Sequence, residues 1–417
     1  MHHIRTNAKN TQILMNEDVK RLAFLPIMGV PMIILCPVKI KKQLAYQDTE
    51  QKTTKKSFNQ KLTKHVLQLG ALSLLALPVK ALLANDTVPQ QQISKVDQIV
   101  AKKEIVVATM DGDSTVFNDS DLQHGFGLDV AKRYAEYLGV QLRLQTYQDE
   151  ESLTRALKNG DADMVLSVLP SEESEFSTNL IGCDSATQNA LVQRGIDANV
   201  GFTFLKTDSG LIDHSASFLC SQEQLAQNQT VAQFYDRTLL KNDYSKYHFN
   251  RAMSQKLPMY ETAFKKGADK HNHDWQVLAA ISYQESHLDP EAVSPTGVQG
   301  LMMLTNDTAK EMGVEDRTDA LQSIAGGAKY LERIYGMFND VPESERLWFV
   351  LASYNMGPNA IKRIQKELTE QGKDANLWSE VYTYLANNAD KNSRYVQCMH
   401  YVTNIRSYVE AIKTMNA

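Results

Sequence analysis

The sequence predicts two domains of different class: an α/β lobe over residues 103–246, then a mainly helical domain over residues 247–417. Two observations carry this. From Lys103, short apolar runs alternate with segments of helical period, the signature of strand–helix–strand units. From Leu257 onward only the helical period recurs. A basic leader with two apolar runs precedes both regions.

In the first region EIVVAT reads as a short buried strand. GFGLDVAKRYAEYLGV places Leu128, Ala131, Tyr134, Ala135 and Leu138 on one helical face and ends at Gly139. QLRLQTY alternates like a strand, ESLTRALKNG is a helix closed by glycine, and ADMVLSVLP is another apolar strand. The order implies a small parallel sheet with crossover helices. TQNALVQRGIDANVGFTFLKTD then passes from a hinge-like strand almost directly into a returning strand. SQEQLAQNQTVAQFYDRTLL reads as the closing helix.

In the second region LPMYETAFKKGA spaces Leu257, Tyr260 and Phe264 at i, i+3 and i+7. Trp275, Leu278, Ser282 and Glu285 mark one face of a helix that Pro290 obliges to stop. SIAGGAKYLERIYG turns Ile324, Ala328, Leu331 and Tyr335 inward, and Gly326 and Gly327 imply close helix packing. ERLWFVLASYNMGP is a helix stopped by Gly357 and Pro358, which leaves Tyr354 and Asn355 at a helix end. YVQCMHYVTNIRSYVEAI is the last helix.

Net charge is −5, unevenly spread: residues 1–84 carry +9 and the remainder −14. An acidic body excludes a nucleic-acid footprint. The leader reads as a targeting region over 1–84. LAFLPIMGVPMIILCPV is broken by Pro26, Pro31 and Pro37, and Leu35 before Cys36 makes a poor lipidation signal. KKSFNQKLTKH followed by VLQLGALSLLALPV has the shape of a signal peptide over about 55–84, with cleavage after Ala81 or Ala84. Residues 85–102 read as a polar linker. Export puts the remaining cysteines in an oxidising compartment, where a Cys183–Cys220 pair with Cys398 free is one arrangement. Cysteine and histidine spacing suggests no metal site and no cofactor.

Chemistry concentrates in YQESHLDPEAVSPTGVQGLMMLTNDTA, residues 283–309. A lone glutamate near a helix end reads as a solvated surface residue. Here, however, Glu285 lies on the apolar face and near the negative end of the helix dipole, both of which raise a carboxyl pKa. That suits a general acid near neutral pH. A turn (SPTG) and a Gly-rich loop follow, where backbone can approach a ligand closely, and Thr305 reads as the N-cap of the next helix.

The ordered series E-S, G-L-M and Y-N, within QESHLDPEAVSPTGVQGLMML, DRTDALQSIAGGAKYL and ERLWFVLASYNMGP, resembles the goose-lysozyme-like catalytic domain of soluble lytic transglycosylases. It is most similar to the membrane-bound lytic murein transglycosylase F type and covers about 150 residues. GFGLDVAKRYAEYLGV and ALKNGDADMVLS resemble the periplasmic solute-binding fold that precedes that domain. By length most of a second lobe is absent, so 103–246 reads as a truncated single lobe, either a docking or regulatory module or a spacer. LPSEESEFSTNL also lacks the arginine that amino-acid-binding relatives usually carry there.

The resemblance implies cleavage of the MurNAc–GlcNAc bond in peptidoglycan glycan strands, with formation of a 1,6-anhydro ring. Glu285 is the expected catalytic acid, and no second carboxylate is required, unlike an ordinary glycosidase; Asp289 lies close to Pro290. Ser294 is expected near Glu285 or the acetamido group. Gly300, Leu301, Met302 and Met303 are expected to line sugar subsites with Thr308 nearby, and Tyr354, Asn355 and Tyr401 to shape the acid's surroundings. Most soluble relatives have glutamine in place of Met303, though the F type also has methionine. Gln397 stands where a glutamate is usual, which bears on the charge balance of the cleft. Further expectations are export to the periplasm, peripheral association with the outer membrane, and envelope-protein partners for the lobe. The rival readings are a lysozyme-type hydrolase and a weakly active cell-wall-binding protein.

Overall fold

The computed structural model describes residues 93–415, apart from 113, 120, 121, 168 and 170–174. The readings of the signal peptide, the first apolar run and Cys36 lie outside the described residues. Those that are described belong to one compact unit, 91–417.

The unit opens with α1 (Lys95–Lys102), where the Ser94 hydroxyl accepts the Asp97 N–H and Ile99 is buried. The end of the expected polar linker is therefore helical, because one apolar side chain and a cap suffice to dock a short helix on its neighbours. β1 (Glu104–Met110), the hairpin β2 (Phe117–Asp119) and β3 (Leu122–His124), α2 (Phe126–Leu138), β4 (Gln141–Tyr147), α3 (Glu150–Asn159) and β5 (Met164–Leu166) follow. Next come β6 (Phe176–Leu180), α4 (Ser185–Gln193), β7 (Gly201–Leu205), α5 (Ser209–Leu219) and α6 (Gln222–Phe234).

The strand order is β4-β1-β5-β7-β6. β1 runs parallel to β4, with Glu104 opposite Gln141, and parallel to β5. β7 is antiparallel to both β5 and β6. The sheet is thus mixed, not parallel as expected, because β7 returns from outside the crossover series. The segment expected as a hinge-like strand is α4. Asp184 caps it, and Thr187 and Leu191, four residues apart, are its buried positions. β6 occupies the strand position instead. The apolar run ADMVLSVLP contributes only the three residues of β5. α2 matches its expected face: Leu128, Ala131, Tyr134, Ala135 and Leu138 are all buried, and Gly139 closes it at φ 69°. Cys183 and Cys220 form a disulfide, which ties the start of α4 to the end of α5; Cys398 is free and buried.

The helical region comprises α7 (Asp243–Gln255), α8 (Leu257–His271), α9 (Trp275–Ser286), α10 (Asn306–Met312), α11 (Ala320–Tyr335), α12 (Glu343–Met356), α13 (Pro358–Glu370), α14 (Trp378–Asn387) and α15 (Ser393–Met415). Helices α8, α11 and α15 pack around the nearly all-buried α9, and α12 packs in turn on α11 and α15. Gly327 meets Met302, whose side chain would lie 2.7 Å from an added Cβ, so the paired glycines do serve close packing.

Lobe and helices share one apolar core, in which Phe234 of α6 packs edge-on to Trp348 and Trp378. Charges are buried along this seam. Arg406 of α15 donates to the carbonyls of Phe234 at 2.8 Å and Asp236 at 2.7 Å, and to Glu410 at 2.5 Å. Lys132 of α2 pairs with Glu345 of α12, and Gln227 donates to Glu380 at 2.6 Å.

Candidate active site

Helix α9 starts at Asp274, whose carboxylate accepts the Gln276 N–H at 2.8 Å. It ends at His287 and Leu288, both left-handed, with φ 52° and 56°. Glu285 therefore stands in the last turn, against the unpaired carbonyls of the helix end. It is half-buried, and Tyr401 of α15 donates to its Oε1 at 2.7 Å. Burial pushes its pKa up to about 7, and the Tyr401 hydrogen bond pulls the other way. No neighbouring charge contributes to that shift among the described residues. Burial and the adjacent Glu285 also hold the phenols of Tyr354 and Tyr401 well above their ordinary pKa, so both remain donors. The arrangement can give a proton near neutral pH and take it back.

The loop after α9 is fixed through its backbone. Gly300 sits at φ 84°, where an added Cβ would lie 1.8 Å from the Arg317 carbonyl oxygen, so only glycine fits. Ser286 and Ser282 of α9 donate to the Leu301 carbonyl at 2.9 and 3.2 Å. Ser323 of α11 accepts the Met302 N–H at 3.1 Å, and Tyr354 of α12 donates to the Met302 carbonyl at 2.9 Å. Arg317 donates to the Leu304 carbonyl at 3.0 Å and to Gln299 at 3.3 Å. Three helices and one arginine thus lock the loop to the helix end that carries the acid.

The expected site residues divide accordingly. Glu285 and Tyr401 are in direct contact, and Tyr354 reaches the Gly300–Met303 loop. Leu301 and Met302 have fully buried side chains, so they present only backbone, whereas Met303 is half-exposed at φ 47°. The Ser294 hydroxyl lies 3.0 Å from Thr296 and accepts the Val298 N–H at 3.0 Å; its hydrogen bonds close the turn and do not reach Glu285. The Thr305 hydroxyl donates to Thr308, which is half-buried at the start of α10. Asn355 and Gln397 are exposed. Asp289 is tied into its own turn, accepting the Glu291 N–H at 3.0 Å. Ser286, Arg317 and Ser323 were not singled out from the sequence. The serine of the E-S pair was the available signal for Ser286, but its partner is a carbonyl 15 residues away. No cluster of three or more metal-ligating side chains occurs among the described residues.

The family model for the transglycosylase SLT domain matches residues 262–377, a stretch that contains both Glu285 and the locked Gly-rich loop. Relatives extend the match beyond that domain. A membrane-bound lytic murein transglycosylase F from Alcanivorax borkumensis is 30% identical, over 76% of this chain and 86% of its own length. Another from Stutzerimonas stutzeri is 35% identical, over 62% of this chain and 55% of its own. The chain belongs to the membrane-bound lytic murein transglycosylase F family. The alignment with the Alcanivorax protein runs over 414 positions yet takes in 76% of this 417-residue chain, so about a hundred of its positions have no residue here. The 70 kDa soluble lytic transglycosylase of Escherichia coli is 17% identical over 63% of this chain and 40% of its own, at a TM-score of 0.31, and that likeness carries no argument.

Proposed function

We propose that the chain cleaves the MurNAc–GlcNAc β-1,4 bond of peptidoglycan without water, leaving a 1,6-anhydro end, in cell-wall remodelling or turnover. The observation that carries this is the solitary state of Glu285. A hydrolase of the two-carboxylate type needs a second acid placed to activate water or form a covalent intermediate. Here burial alone raises the pKa of Glu285, and its polar partner is a neutral phenol. One acid can serve both half-reactions if the sugar supplies the nucleophile. Protonated Glu285 gives its proton to the bridging oxygen as the glycosidic bond breaks, and the 2-acetamido group assists departure. The carboxylate then takes the proton of the sugar's own 6-hydroxyl as that oxygen closes on C1. Proton and electron pair balance, and Glu285 returns to its starting state.

Tyr401 holds Glu285 in place, and the locked loop offers backbone groups to the sugars. Met303, Thr308 and Asn355, which keep exposed surface, are the expected substrate contacts; Ser294 supports the turn beside them. The lobe, lacking the length of a second lobe, serves as a docking or regulatory module for envelope proteins. The gap in the alignment with the Alcanivorax relative supports that reading. Family membership supports a location at the cell envelope, with a periplasmic position peripheral to the outer membrane as the specific expectation. Among the described residues no helix is long and apolar enough to cross a membrane.

Mass spectrometry of digested sacculi tests the function. Wild type should release anhydro-muropeptides, and Glu285→Gln should lower the rate at least ~100-fold. Reducing-end products would make the enzyme a hydrolase, and near-equal activity of the variant would remove Glu285 from the mechanism.

A further inference from the structure

Behind the turn that carries Glu285 lies a concavity. Helix α7 and the end of α9 enclose a pocket of about 290 Å³ lined by His248, Arg251, Gln255, Lys256, Tyr283 and His287. Its charge is one-sided. Lys256 donates to the His287 carbonyl at 3.0 Å and Arg251 to Gln255 at 3.1 Å, so both cations spend these bonds on neutral acceptors. The His287 imidazole is held below its usual pKa by burial and then by Lys256 and His248, neighbours of its own sign. The ring of Tyr283 lies 5.0 Å from that of His287, which gives the pocket an aromatic wall. A small concavity with gathered cations and an aromatic wall suits a compact anion.

Its position narrows the choice of anion. Tyr283 lies two residues before Glu285 in α9, so at about 100° per residue its side chain leaves the opposite face of the helix, and His287 caps the helix on that side with its ring against Tyr283. A glycan lying along Glu285 cannot fill both sites with sugar. A branch of the same substrate can reach. A peptide of four or five residues extends roughly 13–18 Å, enough to round the end of a helix about 10 Å across. The stem peptides of peptidoglycan are such branches, and they bear free carboxylates.

We infer that this pocket binds a stem-peptide carboxylate while the sugar bridge lies at Glu285, an inference that rests on the peptidoglycan reading above. It makes the enzyme prefer peptide-bearing strands. The test compares the full-length chain with its Arg251→Gln variant on peptide-bearing strands and on the same strands stripped by an amidase. The ratio of kcat/KM for the two substrates should fall about tenfold in the variant, mainly through KM, in keeping with loss of one charge-assisted hydrogen bond. Arg251→Lys should recover most of the ratio. Arg251 is exposed and bonds within its own helix, so thermal melts of the variant should match wild type. An unchanged ratio overturns the inference. So does loss of sedimentation with phosphatidylglycerol vesicles at an unchanged ratio, which would assign the pocket to a lipid headgroup. Absence of anhydro products from wild type on both substrates would instead sink the proposed reaction.

Discussion

Two acids on the helical side of the molecule, Glu410 buried and Glu285 half-buried, face opposite surroundings. Glu410, at the seam with the α/β lobe, is held below the usual carboxylate range because Arg406, His124 and Arg237 outweigh the cost of its burial. Glu285, in the last turn of α9, is raised to about 7 because burial acts with no cation to oppose it. The same side-chain chemistry is thus a structural anion in one place and a carboxyl that holds its proton near neutral pH in the other. The difference is made by partners, not by burial. A seam needs its charges cancelled, whereas a general acid needs its charge left uncancelled until the reaction supplies it.

Breaking the seam should have the largest effect on stability. Arg406→Met removes four hydrogen bonds and the main cation facing buried Glu410, leaving it Arg237 at 3.4 Å, so unfolding free energy should fall by about 3 kcal/mol in a denaturant titration. A loss under about 1 kcal/mol would mean that the seam is not held by this arginine.

Glu285 should respond in the opposite sense. Because folding raises the pKa of Glu285, the folded state binds its proton more tightly than the unfolded chain does. That acid therefore contributes least above pH 7, and stability is lost as pH rises from the ordinary 4.5 through about 7. Glu285→Gln should accordingly stabilise the protein at pH 8 by about 2 kcal/mol, allowing for partial exposure, and have little effect at pH 4. Equal melting shifts at the two pH values would contradict this.

A smaller effect sharpens the contrast. Tyr401→Phe removes the one bond that favours the Glu285 anion, so the alkaline limb of the pH–rate profile should move upward while kcat falls about tenfold. A downward shift would show that Tyr401 does not stabilise the carboxylate.

The sequence made the cleft more legible than the seam, for physical reasons. Glu285 falls on the apolar face of a helix with a clear period, and Tyr401 sits in a motif whose resemblance named it. α2 carries its own apolar face and closing glycine and α9 its own Asp274 cap, so local pattern sufficed there. Arg406 in the last helix looks like any solvated arginine, since its partners, the Phe234 and Asp236 carbonyls, lie 172 and 170 residues away. Ser286 and Ser323 escaped attention for the same reason: each holds backbone contributed by another element. α4 was misread because a short amphipathic stretch beside a sheet fits either period until its Asp184 cap is seen.

The central claim is that one uncompensated carboxyl keeps its proton near neutral pH. A carbon-13 NMR titration of the ligand-free protein, with the Glu285 signal assigned from its loss in Glu285→Gln, measures this directly. A midpoint near 7 is expected. A midpoint near the ordinary 4.5 would contradict it.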